Sequence, residues 1–381
     1  MTTITCIEDL HALYQRRVPR MFYDYTESGS WSESTFRDNT DAFDRIKFRQ
    51  RVLVNMENRS LTTSLLGQQV SMPVALAPVG LTGMQAADGE IKAARAAEQF
   101  GVPYTLSTMS ICSIEEVARN TQQAFWFQLY VMRDRDYIKR LINRAKAADC
   151  SALVLTVDLQ IIGQRHKDIK NGLSTPPKPT LANLFNMACK PAWAMGMLKT
   201  PRRDFGNISG HVEGVNSKSS LSQWTAAQFD PSLSWDDVKW IKDLWQGKLI
   251  IKGIIDPEDA QMAVQAGADA IVVSNHGGRQ LDGAPASIDA LPAIVRQVGN
   301  QPCETWMDGG IRSGQHIFKA LALGASATLI GRSYIYGLGA MGESGVSKAL
   351  QILRNELDLT MAFCGLRDIK HVSDKVIWRP E

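Results

Sequence analysis

The chain has 381 residues, 44% of them hydrophobic and 21% charged, with a formal net charge of +3. That length suits one large α/β barrel or two smaller domains, and the mild charge balance, with no Lys/Arg block, excludes a phosphate-tracking nucleic-acid partner. Six scattered cysteines with no C-x-x-C pair argue for reduced thiols and against a zinc site.

At the N-terminus, Glu8 and Asp9 stand where a secretory peptide carries its apolar core, and no apolar run reaches the ~18 residues of a membrane span. The chain is therefore expected to stay on the cytoplasmic side and cross nothing. Residues 1–70 read as a cap, with a short helix at Ile7–Arg17 and a polar aromatic cluster, Tyr23-Asp-Tyr-Thr-Glu-Ser-Gly-Ser30, ending in turn residues. From residue 74 a unit repeats in which a short apolar strand precedes an amphipathic helix. Strands are predicted at 74–77, 104–107, 125–131, 152–157, 249–252, 270–274, 305–307 and 328–330, with helices at 88–100, 135–148, 257–266 and 314–323. Eight such units predict a closed (β/α)8 TIM barrel, one domain over residues 1–381, with an N-terminal helical cap.

In such barrels the chemistry lies where the strands end. Those ends carry Pro78-Val-Gly80, Ser107, Gln128 with Tyr130, Thr156 with Asp158, Lys252, His276 with Arg279, Asp308-Gly-Gly310 with Arg312, and Gly331-Arg332. The sixth end is the centre of the chain. There Ile271-Val-Val-Ser-Asn-His-Gly-Gly-Arg-Gln-Leu-Asp-Gly283 runs a β-branched strand into a turn with a base and a cation three residues apart. Lys252 closes an apolar strand, where it can stabilise negative charge on a bound ring or form a salt bridge to Asp158. Asp158 can instead pair with His276 and steady an imidazolium.

The glycine turns after strands seven and eight, with Arg312 and Arg332, form a pattern that binds phosphate through backbone N–H groups and a cation. A barrel isomerase acting on a phosphorylated metabolite would use the same loops. Gly337-Leu-Gly-Ala-Met-Gly342 matches G-x-G-x-x-G, but too little chain follows for a Rossmann sheet, so it reads as the loop opening the last helix. After strand four comes an excursion over 159–235. Within it, 181–203 places apolar groups at helical spacing, with Trp193 inside and Lys199, Arg202 and Arg203 behind. That pattern suits an interfacial membrane anchor, a lid or a subunit contact.

Ser274-Asn-His-Gly-Gly-Arg-Gln-Leu-Asp-Gly283 resembles the signature of the FMN-dependent L-2-hydroxy acid dehydrogenases and oxidases. Tyr23-Asp-Tyr25, Met72-Pro-Val-Ala-Leu-Ala-Pro78, Trp126-Phe-Gln-Leu-Tyr130, Leu155-Thr-Val-Asp158, Ile251-Lys-Gly253, Asp308-Gly-Gly-Ile-Arg312 and Gly331-Arg332 follow in that family's order. Ala77-Pro-Val-Gly-Leu81, Phe205-Gly-Asn-Ile-Ser209 and Phe229-Asp-Pro-Ser-Leu-Ser-Trp235 are most similar to its bacterial membrane-associated L-lactate dehydrogenases.

The resemblance implies FMN, an L-2-hydroxy acid substrate (L-lactate above all) and a quinone acceptor. It also implies a homotetramer bound peripherally at the cytoplasmic face of the inner membrane. An oxidase using oxygen and a mandelate-type dehydrogenase are the alternatives. It makes His276 the base, supported by Asp158, with Arg279, Arg165 and Tyr25 on the carboxylate and Tyr130 on the hydroxyl or keto oxygen. Lys252 faces the flavin. Pro78, Gly80, Ser107, Gln128, Thr156 and Ser274 line it, and Asp308, Gly309, Gly310, Arg312, Gly331 and Arg332 hold its ribityl chain and phosphate. One departure stands out: Leu159-Gln160 stands where that family usually has Thr-Pro or Met-Pro, which leaves the shape of the loop before Gly163-Gln164-Arg165 open.

Overall fold

The computed structural model describes residues 3–173, 180–211 and 228–379. Eight short strands run parallel: β1 (Val74–Leu76), β2 (Thr105–Ser107), β3 (Trp126–Leu129), β4 (Ala152–Thr156), β5 (Lys248–Ile254), β6 (Ala270–Val273), β7 (Glu304–Met307) and β8 (Ala327–Ile330). Their order is β1-β8-β7-β6-β5-β4-β3-β2. A parallel bridge from Leu76 to Tyr104 and the Leu76 N–H bond to the Pro103 carbonyl, 2.8 Å, bring the two outer strands together into a barrel. The strands are apolar on both faces because helices cover the outside and side chains fill the inside.

That interior is fitted by size. Trp126 and Trp306 stack with centroids 5.3 Å apart, among the small side chains of Ala75, Ala77, Ala152, Ala270 and Ala327. A two-stranded hairpin, Thr63–Leu65 with Gln68–Val70, adds Leu65 and Val70 to this cluster. It is tied there by Glu304, whose carboxylate accepts from the Leu66 N–H and from Trp306 Nε1.

Several expectations change. The strands are as predicted to within a few residues, but β3 stops at Leu129, and β5 runs on to Ile254 through a bulge between Lys252 and Ile254. The bulge has a local cause: Gly253 takes φ +109°, and a Cβ there would lie 2.6 Å from Asp158 Cγ. The cap is more helical than read, since Tyr23 to Thr26 belong to a second helix, Arg20–Thr26, followed by a third, Ser34–Asp44. The 337–342 stretch is not a loop, because most of it lies in the helix Arg332–Met341. Its glycines serve close packing: a Cβ on Gly337 would stand 2.2 Å from the Gly345 carbonyl oxygen, and one on Gly339 2.2 Å from the Tyr14 ring.

The 181–203 segment forms two helices, Leu181–Ala188 and Pro191–Lys199. Residues 174–179 and 212–227 of the excursion lie outside the described residues. Trp193 points into the protein, its Nε1 donating to the Met84 carbonyl at 2.8 Å and its ring 5.5 Å from Phe22. Arg202 is likewise taken up, 2.9 Å from Asp88 and 2.7 Å from Glu116. The second helix is apolar nearly all round, so its spacing could not say which side faces inward, and the indole N–H goes where it finds an acceptor. Leu181, Leu184, Phe185, Met195 and Leu198 remain exposed. Among the described residues no helix is long and apolar enough to cross a membrane.

Candidate active site

A cavity of about 800 Å³ opens at the C-terminal ends of the strands, within the range of small-molecule sites. His276, in the loop after β6, holds φ +59°, a left-handed conformation that the two following glycines continue at +65° and +74°. The turn aims the imidazole at Asp158, after β4, with Nδ1 2.8 Å from Oδ1. A carboxylate only accepts, so Nδ1 donates in this contact. Burial alone would raise the Asp158 carboxyl, but the His276 imidazole and then Lys252 outweigh it and hold it below the usual carboxylate range. The Gln280 amide ties this loop down by donating to the Asp158 and Ile161 carbonyls at 2.7 and 2.9 Å.

Beside this pair two guanidinium groups share the cavity. Arg279 lies over the Tyr25 ring at 4.7 Å and donates to the Tyr25 carbonyl and to the Ser28 carbonyl and hydroxyl oxygens. Arg165 opens the short helix His166–Lys170 and reaches the cavity although the usual proline is missing. Burial, then the Arg279 charge, pushes its guanidinium down. Burial, then Asp158 and Tyr25, pushes the Tyr130 phenol up, so it stays a neutral donor among these groups. Tyr25 meets the opposite wall so closely that a Cβ on Gly80 would stand 2.9 Å from its hydroxyl.

Lys252 pairs with Asp308 at 2.8 Å and donates to Ser274 Oγ at 2.9 Å, so its salt bridge runs across to the end of β7 and not to Asp158. Around it stand buried polar atoms with no partner among the described residues: Gln128 Nε2, Thr156 Oγ1 and Asp308 Oδ1. Gln128 Oε1 is already used, accepting from Ser107 Oγ at 3.1 Å. Unpaired donors and acceptors in a buried wall cost free energy unless a ligand meets them. Pro78, Gly80, Ser107 and Thr156 line the same wall.

At the far end, Gly309 and Gly310 take φ +99° and +74°, and a Cβ on Gly310 would overlap the Asn39 carbonyl. These glycines therefore also let the β7 loop seat on the helix Ser34–Asp44. Gly331 opens the helix Arg332–Met341. Arg332 spends its guanidinium on the carbonyls of Thr26, Gly277 and Ser28 at 2.8, 3.1 and 3.0 Å, and burial pushes it down to about 10. The Arg312 guanidinium donates to its neighbour's carbonyl, at Ile311, and lies 5.5 Å over the Tyr336 ring. All the residues expected in the site except Gln128, Asp158 and Ser274 line the cavity directly; Gln128 meets Ser107 behind the wall, Asp158 meets His276 and Ser274 meets Lys252.

Four residues in or beside the site were not expected. Asp168 stands with Oδ2 3.5 Å from Arg165 Nη1, and the R-x-x-D spacing on one helix turn was the available signal. Glu27 bonds the Tyr336 hydroxyl and lies 3.7 Å from Arg332. Burial raises its carboxyl, yet Arg332 and Arg312 hold it below the usual range. Asn39 and Asn275 exchange side-chain bonds at 2.9 Å each, joining the cap to the β6 loop. Their partners are more than two hundred residues away, so no local pattern marks them.

A family profile described as FMN-dependent dehydrogenase matches residues 14–379. The chain is 44% identical over 376 residues to an L-lactate dehydrogenase of Caulobacter vibrioides, covering 98% of this chain and 97% of the relative. To an L-lactate dehydrogenase of Vibrio cholerae it is 45% identical over 372 residues, covering 97% and 98%. The crystal structure of the monotopic membrane protein (S)-mandelate dehydrogenase superimposes with TM-score 0.94 at 35% identity over 100% of both chains. A soluble mutant of the membrane-associated (S)-mandelate dehydrogenase of Pseudomonas putida gives 0.84 at 35%, over 99% and 100%.

Proposed function

The chain belongs to the FMN-dependent dehydrogenase family, and on that footing we propose that it oxidises L-lactate to pyruvate and passes the electrons to a membrane quinone. FMN is the family's cofactor, and the donor set of the cavity fits it. The unpaired Gln128 amide, Thr156 hydroxyl and Asp308 oxygen suit the alternating carbonyl and N–H groups on the edge of a flavin. Lys252 and Ser274 stand beside them, and Gly309, Gly310, Arg312, Gly331 and Arg332 would take the ribityl chain and phosphate through backbone N–H groups and positive charge. When bound, FMN takes up the electron pair that leaves the substrate carbon.

The observation that carries the reading is the His276–Asp158 pair facing Arg165 and Arg279 across one cavity. The two guanidinium groups and the Tyr25 hydroxyl hold the substrate carboxylate, fixing its plane by paired N–H donors. The Tyr130 hydroxyl bonds the substrate's C2 oxygen. His276 Nε2 takes up the proton that leaves the substrate, and Asp158, accepting from Nδ1, steadies the imidazolium.

Lactate is favoured by the names of the relatives at 44 and 45% identity. A mandelate-type substrate is the second reading. It is supported by the (S)-mandelate dehydrogenase likeness and by an apolar wall of Met21, Phe22, Met84 and Met187 that could face an aryl group. That wall also supports a lipid-soluble acceptor, since Met187 shares its helix with the exposed Leu184 and Phe185. These exposed side chains, with Lys199 and Arg203 nearby, support peripheral attachment to an anionic bilayer, which we place at the cytoplasmic face of the inner membrane. The likeness to a monotopic membrane enzyme supports the same attachment.

The test mixes the yellow protein anaerobically with L-lactate, glycolate and (S)-mandelate, then follows reoxidation by oxygen and by a short-chain ubiquinone analogue. L-lactate is expected to bleach the flavin fastest and the quinone to restore it faster than oxygen. Faster reoxidation by oxygen, with peroxide rising in step with keto acid, would make the protein an oxidase. Bleaching by none of the acids would end the reading.

A further inference from the structure

The two guanidinium groups in the cavity bring more positive charge than a monocarboxylate needs. Arg165 and Arg279 face the same space, and each lies in the other's field. Of the other groups nearby, His276 is bonded to Asp158, Lys252 pairs with Asp308 and Arg332 lies 3.7 Å from Glu27. A pocket with two unmatched cations would favour a dianion, such as a dicarboxylate, over the single charge of a 2-hydroxy monocarboxylate. Asp168 alters that balance. Its Oδ2 is 3.5 Å from Arg165 Nη1, and its Oδ1 is 3.5 Å from the Ser28 hydroxyl, which itself accepts from Arg279 at 3.1 Å. Its side chain is only 14% exposed and lines the cavity. At 3.5 Å these are loose contacts, too long to fix a guanidinium in place. The carboxylate therefore acts through its charge more than through geometry.

We propose that Asp168 is a specificity-determining residue: its negative charge offsets one of the two guanidinium groups of the carboxylate pocket and so shifts selection toward monocarboxylates and away from dicarboxylates. The proposal rests on reading Arg165 and Arg279 as the carboxylate pair. A repelling carboxylate beside the attracting cations is how a charged site refuses a ligand that its cations alone would prefer. The other charges facing Asp168 have partners of their own. Asp24, on the helix Arg20–Thr26, pairs with Arg20 at 3.3 Å and accepts from Asn171 Nδ2 at 2.7 Å, and Lys167 turns away to Glu33 at 2.9 Å and the Glu27 carbonyl.

Charge sets the size of the effect. Removing one negative charge stabilises a bound dianion by twice the free energy it gives a monoanion, so the change in Kd is squared. The experiment titrates the FMN-loaded protein with pyruvate and with oxalate, reading the perturbation of the flavin spectrum. In Asp168→Asn, pyruvate is expected to tighten about threefold and oxalate about tenfold, while Asp168→Glu restores the original ratio. An unchanged oxalate-to-pyruvate ratio overturns the proposal, whether both ligands weaken together, as they would if Asp168 merely oriented the arginines, or neither moves. Failure of the lactate reading would show separately, as absence of bleaching by L-lactate, and would leave this binding ratio readable.

Discussion

The barrel mouth and the two exposed helices of the excursion depart from ordinary burial in opposite directions. At the mouth, charged and polar groups are buried: Arg332 is pushed down to about 10, and Gln128, Thr156 and Asp308 keep atoms without partners. On the helices Leu181–Ala188 and Pro191–Lys199, Phe185 is 73% and Leu198 75% exposed. Either departure costs stability in the isolated chain. Each is understood when something else completes it, a polar flavin and an anionic substrate at the mouth and, in the proposed reading, a lipid surface on the helices. The mouth is also held from all sides, by Asn39 to Asn275, Arg332 to the cap carbonyls and Gln280 to the β4 loop, whereas the helices leave Leu184, Phe185 and Leu198 exposed among the described residues.

The largest effect expected from breaking this contrast is at the mouth. His276→Ala removes the proposed proton acceptor but no contact to the proposed phosphate end. Anaerobic flavin reduction by L-lactate should fall roughly 10³-fold while the yellow colour is kept. A preserved rate would make the mouth's polar network structural. The next effect is on the helices. Phe185→Ser with Leu198→Ser should lower co-sedimentation with anionic liposomes about tenfold or more, since each change removes a side chain worth about 1.5–3 kcal/mol of burial. Turnover with a soluble dye should not change. Equal liposome binding would return these helices to the part of a lid or a contact between copies. The smallest effect is Gly80→Ala, whose new Cβ would press on the Tyr25 hydroxyl at 2.9 Å and on Met109 Cβ at 3.3 Å. Moving that hydroxyl by a few tenths of an ångström should raise KM for lactate about threefold with little loss of kcat. An unchanged KM would separate Tyr25 from the substrate carboxylate.

What could be read without coordinates divides along the same line. His276, Asp158, Arg279 and Lys252 were legible because a barrel strand is a short apolar run and its C-terminal end is where polar residues gather. Arg165 was legible only through family likeness, since it lies beyond its strand on the excursion. Asp168 had a local signal in its spacing from Arg165, but one carboxylate on a short helix looks like any surface acid until the second arginine is brought beside it.

The sequence by itself determined the eight strand and helix units, the rim on which the chemistry stands and the cofactor class. These follow from local patterns of apolar and polar residues and from motifs a few residues long. Only the tertiary structure decided that Lys252 meets Asp308 and not Asp158, that Glu27 sits under Arg332, and that Trp193 faces inward while Phe185 faces out. Each of these depends on which distant segments barrel closure and cap docking bring together. In the second excursion helix, apolar on nearly every side, no periodicity exists to choose a face, and the available hydrogen-bond acceptor, the Met84 carbonyl, made the choice.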